Sequence, residues 1–226
     1  MLIMKTKIMI PALVMSLLSL SCIKSGKTEE SGDAVADTVA KSMDANEHVA
    51  NENSSELMAS MNRMMKQMHE MEMSGNTDHD LAGLMEEHHK SAVEMADILI
   101  ESGTDAEMKS LAQKIKAEQE GEIVELQKLQ GKYKDAAKNY DPKNSKEGLG
   151  KAMGEDMMAM MQMPDPTGES LDREFATLMV KHHEDGVKMG KTILQHAKDA
   201  QFKVMAQKMI ISQEKDIAVM KNWLNK

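Results

Sequence analysis

The residues of this sequence with the most chemistry form two copies of one motif. Met85, His88, His89 and Met95 stand at the spacing Met-x-x-His-His-x-x-x-x-x-Met, and Met179, His182, His183 and Met189 repeat it. At about 100° per residue, the four side chains of a copy fall within one half of a helix circumference. Ala92 in the first copy and Gly186 in the second lie between them and leave room. One face then presents two imidazoles and two thioethers. Thioether sulfur is a soft, uncharged donor that selects Cu(I) or Ag(I) over hard ions, and imidazole serves both Cu(I) and Cu(II). Methionine needs no deprotonation, so such a face keeps its donors in acidic, oxidising surroundings where thiols are lost. Two His-His pairs in equivalent places read as metal ligands. For Met85, Met95, Met179 and Met189, core packing explains the spacing equally well.

Methionine is in surplus elsewhere too, with 26 residues in a chain of 226. Five of the seven residues from 157 to 163 are Met157, Met158, Met160, Met161 and Met163. No helix buries all five on one face, so some are exposed or line a groove, and soft-metal capture accounts for them. By contrast Leu57, Met61, Met64, Met68 and Met71 step by 4, 3, 4 and 3, a packing stripe, with Met58, Met65, His69 and Met73 off it. Gln119 and Gln213 interrupt apolar stripes, and Glu122 and Asp216 follow one turn later. These four are candidates to orient the His-His pairs from outside, the alternative being a solvated flank.

The elements that position these residues are helices. Aromatics make up only 2% of the chain, which disfavours a β-rich domain. The four prolines (Pro11, Pro142, Pro164, Pro166) leave long stretches free of helix breakers. Shifted by 94 residues, 78–130 aligns without a gap on 172–224, so the motif copies belong to an internal duplication. Each repeat reads as two helices joined by a short turn, at 102–105 and 197–200. Thr77 or Asp78 is expected to cap the first helix, with Gly103 ending it. Asp105 is expected to cap the second, running to about Lys138. Asp172 and Asp199 hold the corresponding places. Two antiparallel hairpins make an all-α four-helix bundle of two duplicated helical hairpins. Met-rich helical extensions, about Ser55–Met73 and Gly154–Met163, precede them. The expected domain spans 54–226: repeat 1 at 54–138, a crossover at 139–170 including Met-rich 153–163, and repeat 2 at 171–226.

The N-terminus carries its own signals. Residues 1–21 place two lysines before an apolar run of about a dozen residues that ends in small ones, the layout of a secretory signal peptide. Cys22, the only cysteine, follows Leu18-Ser19-Leu20-Ser21 and reads as a lipidation site; the alternative is a free thiol after ordinary cleavage. An acylated Cys22 leaves no thiol for disulfides, metal thiolates or nucleophilic catalysis. Residues 22–53 are polar and aperiodic, a flexible tether with a marginal helix around Asp33–Met43. The expectation is an exported protein, lipid-anchored at the bacterial cell envelope, periplasmic or on the outer membrane.

Net charge is −9, which disfavours nucleic-acid binding and otherwise reads as solubility. Enzyme signatures fail. Glu86-x-x-His89 matches half of a di-iron motif, but Val180 stands at the equivalent of Glu86. Gly148-x-Gly150-x-x-x-Gly154 is off the spacing of a nucleotide loop, and no nucleophile elbow or thiol pair occurs. The expectation is no enzyme. The expected partners are metal ions, a membrane through the N-terminal lipid, and a protein that exchanges metal. The alternatives are a metal-dependent oxidoreductase and a Met-rich structural protein that grips partner helices.

With these residues in view, the chain resembles the family called domain of unknown function 305. The resemblance rests on Leu-Met-x-x-His-His-x-x-x-Val-x-Met (84–95 and 178–189) and Ala-x-x-Ile/Met-x-x-x-Gln-x-x-Glu/Asp-Ile (112–123 and 206–217), and covers about 54–224. It implies a ferritin-like four-helix bundle and copper or silver binding outside the cytoplasm. It also implies ligands at His88, His89, His182, His183 and the adjoining methionines.

Overall fold

Proline-free stretches with apolar residues at helical spacing become helices because one stripe of each is removed from water. The computed structural model describes residues 55–165 and 169–226, and the expected leader, Cys22 and tether lie outside the described residues. Six α-helices and no strands occur among them: α1 Glu56–Glu70, α2 Thr77–Ser102, α3 Ala106–Tyr133, α4 Gly148–Met160, α5 Leu171–His196 and α6 Ala200–Leu224. The chain is all-α, as its sequence predicts. Helix α2 packs on α3, α5 on α6, and α2 on α5, while α1 lies on α2 and α4 on α5. Phe175, Phe202, Leu99, Met108, Ile115 and Leu126 are among the largest fully buried side chains. In α1 the predicted stripe is the buried one: Leu57, Met61, Met64 and Met68 face the core.

Several boundaries differ from the sequence expectation, each for a local reason. Helix α3 stops at Tyr133 rather than near Lys138, because the next residues turn to the α1–α2 connection. There Ala137 O accepts from Asn76 Nδ2 (3.0 Å), Asn139 Oδ1 accepts from Thr77 N (2.9 Å), and Tyr140 OH donates to Asp80 Oδ2 (2.6 Å). Helix α4 begins at Gly148, well before Gly154. Gly148 has φ +64°, a left-handed conformation that glycine adopts without strain, and Leu149 is buried just inside. Gly103 does end α2, but with φ −68°. What glycine supplies there is space, since a Cβ would sit 2.5 Å from Leu99 O and 3.0 Å from Asp172 Oδ1.

The caps also differ. Asn76, not Thr77 or Asp78, caps α2, and Ser170, not Asp172, caps α5. Asp105 and Asp199 cap α3 and α6 as expected, accepting from Met108 N (2.9 Å) and Phe202 N (3.0 Å). Asp78 and Asp172 do something else: each reaches across to the turn of the opposite hairpin. Asp172 accepts from Thr104 N, Thr104 Oγ1 and Asp105 N at 2.7–3.1 Å. Asp78 Oδ1 accepts from Lys198 N (2.8 Å) and Asp199 N (3.0 Å). The N-terminal end of α2 therefore meets the C-terminal end of α5, and the reverse, so the two helices run antiparallel.

Some helical glycines serve no such purpose, Gly121 among them. Gly121 is exposed within α3, and a Cβ there would meet nothing within 4 Å. Gly121→Ala is therefore expected to raise stability by about 0.5–1 kcal/mol, read as a higher urea midpoint at unchanged m-value.

Candidate metal centre

Adjacent residues on a helix point about 100° apart, so a His-His pair sends its rings to two different neighbours. On α2, His88 faces α5 and His89 faces α3; on α5, His182 faces α2 and His183 faces α6. The rings of His88 and His182 lie across the α2–α5 contact, centroids 3.8 Å apart. His182 Nε2 donates to His88 O at 3.0 Å. His89 Nε2 donates to Glu122 Oε2 on α3 at 2.8 Å. His183 Nε2 stands 3.8 Å from Asp216 Oδ2 on α6. That contact is looser because Asp216 is shorter than Glu and is held by Lys114 Nζ at 2.8 and 3.0 Å. All four rings are sealed from solvent, none more than 1% exposed.

These partners set the tautomers. An acceptor opposite Nε2 of His89, His182 and His183 puts the proton there and leaves each Nδ1 as a bare lone pair. None of the three Nδ1 atoms has a hydrogen-bond partner, and neither nitrogen of His88 has one. Gln119 Oε1 and both amide atoms of Gln213 are equally unpartnered. Among the described residues, every buried side-chain polar atom in this condition belongs to these six residues. Proteins rarely leave such groups unpaired, so their confinement to one layer makes that layer the candidate site. Burial, together with the neighbouring imidazoles, pushes His88 and His182 well below the usual imidazole range. Burial also lowers His183, opposed by Asp216. His88, His182 and His183 are therefore held in the uncharged form, the one that binds metal.

Gly186 packs directly against the layer. A Cβ there would lie 2.4 Å from Gln213 Oε1 and 3.0 Å from His88 Cε1. Its counterpart Ala92 carries a methyl and is fully buried, so the two halves of the layer are not identical.

The other residues singled out by sequence are placed differently. Met85, Met95 and Met179 have no exposure, and Met189 has 5%. Within the 157–163 run Met160 is buried, Met157, Met161 and Met163 are half-buried, and Met158 is 47% exposed. Met58, Met65, Met71 and Met73 pack partly buried against the core, and His69 is exposed. Glu86 is engaged by Gln127, Gln130 and Lys90, whereas His89 takes Glu122. Among the described residues no three His, Cys, Asp or Glu side chains stand together in a metal-holding group. An ion here would draw on thioether sulfur or on a small rearrangement of the imidazoles. Sequence reading missed the His88–His182 stack and the part played by Lys114. The 94-residue offset carried a signal for the first, since His88 and His182 are equivalent positions in it; nothing marked Lys114.

Comparison with known proteins agrees with this architecture. The family described as Domain of unknown function (DUF305) matches residues 78–224. The solved structure of CopM in the Ag-bound form, prepared by soaking, is 25% identical, covering 66% of this chain and 95% of that one, with a TM-score of 0.50. CopM in the Cu(I)-bound form is 24% identical, covering 66% and 96%, with a TM-score of 0.50. No curated protein matches the chain.

Proposed function

This chain belongs to the DUF305 family, and on that premise we propose that it binds copper or silver ions through imidazole and thioether donors. The observation that carries the reading is the sealed layer of four imidazoles. Three carry a bare Nδ1 whose tautomer is set by a partner on Nε2, and among the described residues all of the unpartnered buried side-chain atoms fall there. That is how a protein presents histidine to a metal. The surplus of sulfur selects a soft ion, Cu(I) or Ag(I), with imidazole able to follow copper to Cu(II). Likeness to CopM, whose structure holds Ag, supports the choice.

In this reading the protein sequesters or hands over metal and performs no reaction. Cys22 carries a lipid that fixes it at the cell envelope after export. Exposed Met158 and its half-buried neighbours make first contact with the ion, and release to an acceptor protein proceeds by exchange of one thioether at a time. Glu122 orients His89, so Glu122→Ala weakens binding by roughly 10–100-fold. The test is a Cu(I) and Ag(I) titration of the full chain under reducing conditions, alongside a variant with His88, His89, His182 and His183 all changed to Ala. The wild type takes up ions that the variant has lost. Equal capacity and affinity in the two proteins would overturn the assignment.

A further inference from the structure

A separate pocket opens between α1, α2, α4 and α5. Five methionines line it: Met68 from α1, Met153, Met157 and Met160 from α4, and Met189 from α5. The three on α4 step by four and three, which puts them on one face. Aliphatic side chains of α2 and α5 close the remainder, and Asp156 completes the lining. We propose that these five thioethers form a second, sulfur-only site for a soft monovalent cation, Cu(I) or Ag(I), apart from the imidazole layer. The proposal rests on the reading that this chain takes up soft cations, and it assigns them an additional place.

Three observations separate this from ordinary core packing. Methionine in a core fills gaps, because its flexible chain adapts to whatever space is left. Here methionines from three helices line a small cavity that they do not fill. Second, uncharged thioethers alone do nothing to offset the charge of a buried cation. Asp156 is the ionisable group in the lining, 7% exposed, and burial pushes its carboxyl up. Thr192 Oγ1 donates to its Oδ2 (2.7 Å) and Lys188 Nζ lies 3.4 Å from its Oδ1. A cation among the sulfurs gives this carboxylate a further opposite charge. Third, the pocket has a way in. Met153 and Met157 are half-buried rather than sealed, and Met158, next to Met157, is exposed.

Met189 follows His183 by six residues, about 9 Å along α5. The pocket is thus close to the imidazole layer, and Met189, which the sequence motif groups with His182 and His183, belongs to the lining of the pocket. Exposed sulfur, enclosed sulfur and imidazole lie in series from solvent to core. The pocket is the intermediate station, where a Cu(I) ion exchanges ligands with neutral donors at each step.

The test uses the full chain with 13C-labelled methionine methyl groups, titrated with Ag(I) and followed by NMR. The methyls of Met68, Met153, Met157, Met160 and Met189 are expected to shift together, in the wild type and equally in the variant lacking all four layer histidines. The variant Met153→Leu/Met157→Leu/Met160→Leu is expected to bind one fewer equivalent of Ag(I) while its histidine resonances still respond. Ag(I) uptake that leaves those five methyls unmoved overturns the pocket and leaves the imidazole reading standing. No Ag(I) uptake by the wild type overturns both.

Discussion

Changing His88 and His182 together to Leu is expected to stabilise the metal-free protein while removing the share of the Ag(I) stabilisation that arises at the imidazole layer. Both rings are fully buried, and three of their four nitrogens have no partner. An unpaired buried polar atom costs about 1–3 kcal/mol, so removing them in favour of an apolar side chain of similar size returns on the order of 2 kcal/mol or more. The one hydrogen bond lost, His182 Nε2 to His88 O, is replaced by packing across a contact that is already close. In the wild type, Ag(I) at 100 times its dissociation constant adds about 2.7 kcal/mol by linkage; the double variant gains none of this at the layer. Urea unfolding with and without Ag(I) reads both effects.

The same pair fixes a pH dependence. Burial holds both imidazoles below their unfolded value of about 6.5, so the unfolded chain binds more protons as pH falls through that value. Wild-type stability should therefore fall from pH 7 towards pH 5, and the double variant should show a shallower slope. A variant less stable than wild type by the amount of an ordinary core cavity, with unchanged slope, would mean that the rings are satisfied core residues. An unpaired polar layer kept at the centre of a bundle is a stability cost that binding offsets.

The helices and the pairing of residues were legible because their signals are periodic. Apolar stripes in α1, α2 and α3 recur at helical spacing, and the 94-residue offset linked His88 to His182, Gln119 to Gln213 and Glu122 to Asp216. All eight residues His88, His89, Gln119, Glu122, His182, His183, Gln213 and Asp216 are buried or half-buried in one layer, which the stripes alone could not state. What failed was anything that depends on a reach between elements. Asp78 and Asp172 have the residue type and location of N-caps, yet serve the opposite turn, because Asn76 and Ser170 cap first. Tyr133 looks like a mid-helix residue, but its hydroxyl donates to Asp199 and the chain leaves the helix there. Methionine was ambiguous throughout. It has the same spacing whether it fills a core or faces a pocket, and only the structure separates Met85, with no exposure, from half-buried Met157.

Removing the two reciprocal aspartates is expected to have the largest effect on stability. Asp172 holds Thr104 and Asp105, and Asp78 holds Lys198 and Asp199, so each fastens one hairpin to the other's turn. Hydrogen bonds to a charged group contribute about 1.5–3 kcal/mol each and are not fully additive within one carboxylate. Asp172→Ala is thus expected to cost about 3 kcal/mol and Asp78→Ala about 2. The two clamps stand at opposite ends of α2, which at 26 residues is about 39 Å long. Sites so far apart should add, giving about 5 kcal/mol for the double variant, a large share of an ordinary domain's 5–15. Acid should expose the same contribution. Burial alone would raise the Asp172 carboxyl, but hydrogen bonds from Asp105 and Thr104 outweigh it and hold the group below the usual carboxylate range. Asp199 is depressed further, chiefly by Lys132, with Phe202 N, Tyr133 and Gln201 N adding to it. A carboxyl depressed in the folded state contributes stability above its unfolded value of about 3.9, lost as pH falls through the folded value. The wild type should therefore unfold progressively below about pH 4, and Asp172→Ala should flatten that acid limb as well as lower the plateau. If the double variant costs no more than either single one, the hairpins are coupled through the core and the turn clamps contribute nothing of their own.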